Sequence, residues 1–265
     1  MSNDKFARNR WLSYLYGSRL ASAVGEWPWS DVFKSNDLDS LRLSLLSAGI
    51  FGLGDAINGV TKANVAQAVR TDGVIVKPDV PIVPLDRAFV SEASGNGPMV
   101  ATTYSAHPGG RTTYLVAFSD ASATLAFTPA ELGYAGDIYV YDANRRTGRL
   151  TAAAATYTDP VAATGSAYYV IAPVGKSGIA FLGDAGKFAS TGKKRVSSFM
   201  DDGVVTATLV FSAGETATLH GYAAAAPTVA ATSGTVGPVT YDASNKRFTV
   251  LVTPAAGAAT VKIMP

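Results

Sequence analysis

The chain has no cysteine among its 265 residues. Disulfide bonds, thiolate metal ligands and a thiol nucleophile are therefore excluded. Histidine is also scarce, and neither His107 nor His220 has a second ligand at the spacing typical of a metal site. Gly52 and Gly54 are not followed by the remaining glycine of a dinucleotide fingerprint. We therefore expect no cofactor.

Net charge is small, because 22 basic residues face 20 acidic ones, which leaves +2. A balance of this kind does not favour nucleic acid or an anionic membrane as a partner. No apolar run reaches the ~18 to 20 residues that a spanning helix needs. Residues 1–10 carry charges of both signs, and no apolar segment of a signal peptide follows them. The sequence thus predicts a cytoplasmic protein with no nucleic-acid or membrane partner.

The first 90 residues carry helix signals and one short apolar stretch. Leucines at helical spacing predict a helix over residues 37–48, with Asp37 as its N-cap and Gly49 as its end. Residues 48–55 are apolar, rich in glycine and without alternation, which is typical of a buried strand in a parallel sheet. A second helix is predicted over residues 62–70. Helix, strand and helix in this order indicate a (β/α) unit.

The sequence changes character near residue 90. Three prolines within residues 74–89 predict an extended connector, which we interpret as the domain boundary. Beyond residue 97 the apolar runs are short, β-branched or aromatic, and bounded by turn residues. They predict strands of a first sandwich at 112–119, 137–141, 167–173 and 178–182, and of a second at 204–211, 216–222, 239–241, 247–253 and 259–263. The predicted fold is α+β and multidomain, with a partial (β/α) barrel segment at 1–90 and antiparallel β-sandwich domains at 91–187 and 188–265.

Four stretches carry a resemblance to a known family. They are ASAVGEWPWSDVFKS at 21–35, LSLLSAGIFGLGD at 43–55, RTDGVIVKPD at 70–79 and APVGKSGIAFLGD at 172–184. Together they resemble the closing strands and loops of barrel glycosidases of the α-galactosidase and raffinose-synthase clan, with the β-domain that follows the barrel. The resemblance implies that the chain corresponds to the C-terminal part of such a glycosidase.

The same resemblance implies that the usual catalytic carboxylates are missing. In the family, the nucleophile and the acid/base lie at the ends of earlier barrel strands, and this chain starts after them. An incomplete barrel exposes strand edges and an apolar inner face, and such edges favour self-association. We therefore expect a homo-oligomer that forms through the open barrel.

Hydrolysis of a glycosidic bond needs two carboxylates, about 5 to 5.5 Å apart for retention or about 6.5 to 9.5 Å apart for inversion. The catalytic candidates are Asp55, at the end of the predicted strand, Glu26 and Asp31. Asp55 is equally suited to bind a sugar hydroxyl or to cap a helix, and Glu26 to form a surface salt bridge.

The substrate-binding candidates lie in the same loop region. Trp27 and Trp29 flank Pro28, and their indoles could stack on a sugar ring or cover the open end of the barrel. Lys34 follows them closely and is the third candidate.

Two functions remain open, with a chain fragment without selected function as a third possibility. The first is a truncated glycoside hydrolase that acts on galactoside-like substrates and completes its site by oligomerisation. The alternative is a non-catalytic carbohydrate-binding or structural C-terminal module of a larger glycosidase. A Gly-x-Ser-x-Gly elbow is absent from the sequence, so the α/β-hydrolase nucleophile is not an option.

Overall fold

A computed structural model of the chain describes residues 6–93 and 97–265. The first part contains helices α1 (Arg8–Ala23), α2 (Leu38–Leu46), α3 (Lys62–Val65) and α4 (Asp86–Ala93), with a 3₁₀ turn at Ile57–Gly59. Helix α2 confirms the predicted first helix, because an Asp37 carboxylate oxygen accepts a hydrogen bond from the Ser40 amide at 3.0 Å. No helix in the described part of the chain is long and apolar enough to cross a membrane.

The predicted strand over residues 48–55 is wrong as a regular strand. Instead, a single parallel bridge joins Phe33 to Leu53, with the Phe33 amide donating to the Gly52 carbonyl at 3.2 Å and the Gly54 amide to the Phe33 carbonyl at 2.8 Å. A parallel strand of regular length needs further strands that pair with it along its two edges. Residues 6–93 supply only these two adjoining segments, so the partial barrel stays a prediction.

The connector predicted over residues 74–89 is extended only in its first part. Its chain is held by hydrogen bonds from the Val76 amide to the Ala68 carbonyl and from the Ile82 amide to the Leu46 carbonyl. It ends in the short strand β1 (Val83–Pro84), after which α4 begins at Asp86. Helix α4 was not predicted. It forms because the prolines that interrupt the backbone pattern stop at Pro84, so that a helix can start at Asp86.

The chain after residue 97 begins with a sheet that is buried on both faces. Its strands and those beside it are β2 (Met99–His107), β3 (Gly110–Phe118), β4 (Ala123–Phe127), β5 (Ile138–Asp142), β6 (Thr147–Thr151), β7 (Tyr157–Val161) and β8 (Ser166–Pro173). Five of them form an antiparallel six-stranded sheet together with β1, in the order β1-β2-β3-β8-β5-β6, and β4 pairs with β7.

Strand β3 shows how alternation builds two cores from one sheet. Tyr114 and Val116 pack into the core that includes α1 and α2, whereas Leu115 and Ala117 pack into the core that includes β4 and β7. Successive side chains of a strand point to opposite faces, so the sheet joins the helical segment to the first sandwich.

The remaining strands are β9 (Ala180–Asp184), β10 (Val196–Asp201), β11 (Val205–Val210), β12 (Ala217–Tyr222), β13 (Thr228–Ser233), β14 (Thr235–Val236), β15 (Thr240–Asp242), β16 (Arg247–Thr253) and β17 (Ala258–Met264). They form two antiparallel sheets, β10-β11-β17-β13 and β14-β16-β12-β9 with β15 beside β16, around a shared apolar core. The strand predicted at 178–182 was assigned to the first sandwich, which is wrong, because β9 pairs with β12. The domain division at residue 187 stays a prediction.

A buried arginine joins the elements of this second pair of sheets. Arg195 is fully buried, and its guanidinium contacts Asp184 at 2.9 Å, Glu215 at 2.5 Å and the Val210 carbonyl at 2.8 Å. Burial raises the pKa of Asp184, and the charge of Arg195 opposes that rise. The end of β9, the end of β11 and the loop before β12 therefore share one cation.

We expect Arg195→Met to lower the free energy of unfolding by about 3 to 5 kcal/mol, because two buried carboxylates lose their partner. Urea denaturation checks this. The matched control is Lys176→Met, which removes an exposed pair to Asp202 and should change the free energy by less than about 0.5 kcal/mol. An equal effect of the two substitutions would contradict the role of Arg195.

Strand β12 carries a histidine that is buried without charge. Burial, with a smaller contribution from the charge of Arg247, lowers the pKa of His220 from 6.5 to about 3. The unfolded chain therefore binds a proton between these two pKa values that the folded chain does not bind. The contribution of neutral His220 to the stability is complete above the pKa of histidine in the unfolded chain, and it is lost as the pH falls below that pKa.

We expect the wild-type chain to lose about 2 kcal/mol more stability than His220→Gln between about pH 7 and about pH 4.5. Urea denaturation at both pH values measures the difference. Thr218→Gln, at an exposed position of the same strand, is the control and should keep the wild-type pH dependence, because it changes no titratable group. Parallel pH dependences of the wild type and His220→Gln would show that His220 titrates normally in the folded chain.

Candidate functional site

Asp55 lies at the carboxyl-terminal end of the parallel pair. Its two carboxylate oxygens accept hydrogen bonds from the amide of Ser35 at 2.9 Å and from the hydroxyl of Ser35 at 3.1 Å. The Ser35 hydroxyl also accepts from the Thr61 amide at 2.7 Å. Lys34 lies at the same end and donates to the carbonyl of Gly54. Asp55 therefore holds Ser35, and Ser35 in turn links this end of the pair to Thr61 at the start of α3.

Ser35 is the residue of this cluster to which the sequence assigned no site role. Its side chain is buried, and its carbonyl accepts a hydrogen bond from the Asn64 side chain at 2.9 Å. A serine two residues before Asp37 is typical of a helix cap. The sequence pattern therefore did not predict its contact with Asp55, twenty residues further along the chain.

The other four site candidates lie near the amino-terminal end of the pair. Trp27 and Trp29 are 56% and 61% exposed, whereas Pro28 and Ser30 between and after them are buried. The Ser30 hydroxyl is 2.8 Å from the Ser44 hydroxyl of α2, which anchors the loop. This alternation presents both indoles to solvent from a fixed backbone.

Two carboxylates flank the indoles. Glu26 is exposed, and its amide closes the end of α1 through a 2.9 Å bond to the Ala21 carbonyl. Asp31 accepts a hydrogen bond from the amide of its own neighbour, Val32, at 2.7 Å. We call residues 26–31 the tryptophan loop.

The parallel register separates the tryptophan loop from Asp55. Gly49 lies against Pro28, where a Cβ atom would overlap the Pro28 carbonyl oxygen, while Asp55 bonds Ser35 at the other end. Asp31 comes two residues before Phe33 and Asp55 two residues after Leu53, so the parallel bridge between Phe33 and Leu53 leaves the two carboxylates at opposite ends of the pair. The structure thus brings Lys34 near Asp55, but it does not bring Asp31 near it.

Metal ligation has no support in residues 6–93 and 97–265. No group of three or more histidine, aspartate and glutamate side chains there is placed to hold a metal ion.

No protein-family model and no curated protein sequence matches the chain. Similar solved structures include a candidate α-N-acetylgalactosaminidase from Bacillus halodurans, with 13% identity over 65% of this chain and 46% of that one and a TM-score of 0.45. A GH27 β-L-arabinopyranosidase from Geobacillus stearothermophilus has 11% identity over 65% and 44%, with a TM-score of 0.49. An α-galactosidase from Saccharomyces cerevisiae has 12% identity over 57% and 48%, with a TM-score of 0.35.

These similar structures are glycosidases, of the kind that the sequence resemblance named. The chain spans a little less than half the length of each of them.

We expect Asp55→Ala to lower the free energy of unfolding by about 1.5 to 3 kcal/mol, since hydrogen bonds to a charged group are lost and the buried Ser35 keeps unpaired donors. Asp31→Ala is the matched control, because within the described residues its carboxylate accepts a bond from the neighbouring Val32 amide and from no distant element, and it should change stability by less than about 0.5 kcal/mol. Chemical denaturation of both variants measures this, and an unchanged Asp55→Ala would contradict its holding role.

Proposed function

We propose that the chain is the carbohydrate-binding part of a glycosidase-type protein, and that it binds galactoside-like sugars through the tryptophan loop. The observation that carries the proposal is the pair of exposed indoles, Trp27 and Trp29, held on an anchored backbone between two carboxylates. The galactoside-like class of sugar comes from the resemblance of the sequence.

The chemistry of the loop suits a sugar ring. An indole face is flat and apolar, so it packs against the C–H face of a pyranose. The carboxylates of Glu26 and Asp31 can accept hydrogen bonds from sugar hydroxyls beside the ring. The backbone is already held by Ser30 and Pro28, so binding requires little further ordering of the loop.

Catalysis by the isolated chain has less support than binding. Asp31 and Asp55 belong to opposite ends of the parallel pair, and both oxygens of Asp55 accept hydrogen bonds from Ser35. A general acid needs a carboxyl group that can reach the glycosidic oxygen.

A second candidate function is hydrolysis by an assembled barrel. Large apolar side chains on or next to the parallel pair are exposed, namely Val32, Ile50, Leu53 and Ile57. Exposed apolar side chains that lie together are typical of an interface. A second copy of the chain, or another barrel segment, would cover these side chains and could bring its own carboxylate to the end of the pair where Asp55 lies.

For the first candidate, we expect Trp27→Ala and Trp29→Ala each to weaken the binding of galactose and methyl galactosides by about tenfold or more, because the stacking surface is lost. Isothermal titration calorimetry measures the affinity. Leu20→Ala is the matched control, because it removes an exposed apolar side chain outside the loop, and it should leave the affinity within about twofold. Sugar binding that survives both tryptophan substitutions would overturn the proposal.

Turnover of aryl α- and β-glycosides, measured with the molar mass in solution, separates the two candidates. Under the binding proposal, the chain shows no turnover at any concentration. Turnover that rises with oligomer formation and disappears in Asp55→Ala or Glu26→Ala would replace the binding proposal by hydrolysis. The stability of each variant must be checked in parallel, since Asp55 also holds the loop at Ser35.

A further inference from the structure

A separate cavity of about 310 Å³ lies between the six-stranded sheet, α2 and the strands β12 and β16. Its volume is at the lower end of the range for small-molecule sites. It uses none of the residues of the tryptophan loop and none of the residues around Asp55. Whatever it binds is therefore independent of the function proposed above.

The walls of this cavity carry positive charge. Arg42, Arg146, Lys187 and Arg247 line it, and no carboxylate is among the described residues that do so. Arg42 is partly compensated from outside by Asp39 at 2.9 Å, and Lys187 lies 4.0 Å from Glu215. An accumulation of cations in a partly buried site, with incomplete compensation, favours an anion.

Arg247 is one of two lining cations, with Arg146, for which no ion pair with a described carboxylate is found, whereas Arg42 and Lys187 have one each. Within the described chain, no carboxylate lies within 4.0 Å of the Arg247 guanidinium. Its cross-strand partner, Asp242, directs its carboxylate to the amides of Ser244 and Asn245 and to the side chain of Asn245. Asp242 is thus committed to the turn between β15 and β16, and the charge of Arg247 remains available to the cavity.

Three of the lining side chains also have buried polar atoms without a hydrogen-bond partner in the described structure. They are the Nε atoms of Arg42 and Arg247 and both ring nitrogens of His220. His220 is only 1% exposed. A buried polar atom that stays unpaired costs about 1 to 3 kcal/mol, and such atoms are rare in native proteins. Their occurrence together among the residues that line one cavity favours a ligand there.

Aromatic rings hold the two arginines in place. The guanidinium of Arg42 lies 4.5 Å from the ring centre of Tyr168, and that of Arg247 lies 5.3 Å from the ring centre of Tyr141. Tyr141 also meets the ring of His220 edge to face at 4.9 Å. Cation–π contacts of this kind fix the donors before a ligand arrives, which reduces the entropy lost on binding.

The protonation state of His220 restricts the kind of ligand that the cavity can bind. Its pKa is lowered to about 3 by burial and by the charge of Arg247, so the ring is neutral at neutral pH. A neutral imidazole has one donor and one acceptor nitrogen, and the acceptor needs a hydroxyl or amide hydrogen from the ligand. An anion without hydrogen-bond donors would leave this nitrogen unpaired.

We propose that the cavity between α2, β5, β8, β12 and β16 binds a hydroxylated oxyanion of monosaccharide size, such as a sugar acid or a sugar phosphate. The oxyanion accepts hydrogen bonds from Arg42 and Arg247, and a hydroxyl of the same molecule pairs with His220. The carboxylate and the phosphate share this chemistry, and titration with each of them distinguishes the two.

The test uses the full chain with ¹⁵N-labelled histidine. The chain has two histidines, so their signals are easily told apart. Glucuronate, galacturonate and glucose 6-phosphate are titrated separately up to about 10 mM, with galactose as the neutral control. We expect the sugar acid, the sugar phosphate or both to shift the ring nitrogens of His220. The signals of His107, which bonds the Thr191 carbonyl at 2.7 Å elsewhere, should not move. No shift of His220 with any anion, or an equal shift with galactose, would overturn the proposal.

A variant separates a built site from general attraction of anions. Arg247→Gln should weaken binding of the anion by about tenfold or more, since a charge-assisted hydrogen bond is lost. Lys262→Gln removes the same charge from an exposed position on β17 and should leave the affinity within about twofold. Equal losses in both variants would overturn the proposal. The histidine signals of the wild type remain decisive if Arg247→Gln does not fold.

Discussion

The rest of the structure depends on the burial of the six-stranded sheet on both of its faces. Alternate residues of β3 supply two separate cores, one with the helical segment and one with β4 and β7. A sheet that is covered on both sides cannot lose either layer without exposing large apolar side chains. The helical segment, which has few regular elements of its own, is therefore held in place by the sheet.

The same sheet also positions the charged cavity. Tyr141 on β5 and Tyr168 on β8 face α2, whose Arg42 lies over the ring of Tyr168. The second pair of sheets closes the cavity with His220 and Arg247 from adjacent strands. The charged cavity is therefore a product of three layers, whereas the tryptophan loop is held by α2 through Ser30 and Ser44 and by the end of α1 through the Glu26 amide. The two candidate sites also differ in chemistry, since one offers carboxylates and indoles and the other offers cations.

Much of the local structure could be predicted from residue patterns. The helix after Asp37 and many of the short strands follow from leucine spacing, cap chemistry and β-branched runs. Two of the errors concern pairing over long distances in the chain. Residues 48–55 look like a buried strand, but they have only one parallel neighbour. Strand β9 looks like part of the first sandwich, but its partner β12 lies more than thirty residues away. Register and partner depend on the whole fold, which no local window contains.

The sequence by itself excluded disulfide bonds, thiolate metal ligands and a thiol nucleophile. It also determined the β-rich character of the chain after residue 97 and identified the tryptophan motif. These follow from composition and short periodicity. Only the tertiary structure decided that Asp55 binds Ser35 and that Asp31 lies at the other end of the pair. It also decided that Arg42, His220 and Arg247 meet in one cavity. These residues are distant in the chain, and the free energy that brings them together comes from burying apolar surface elsewhere.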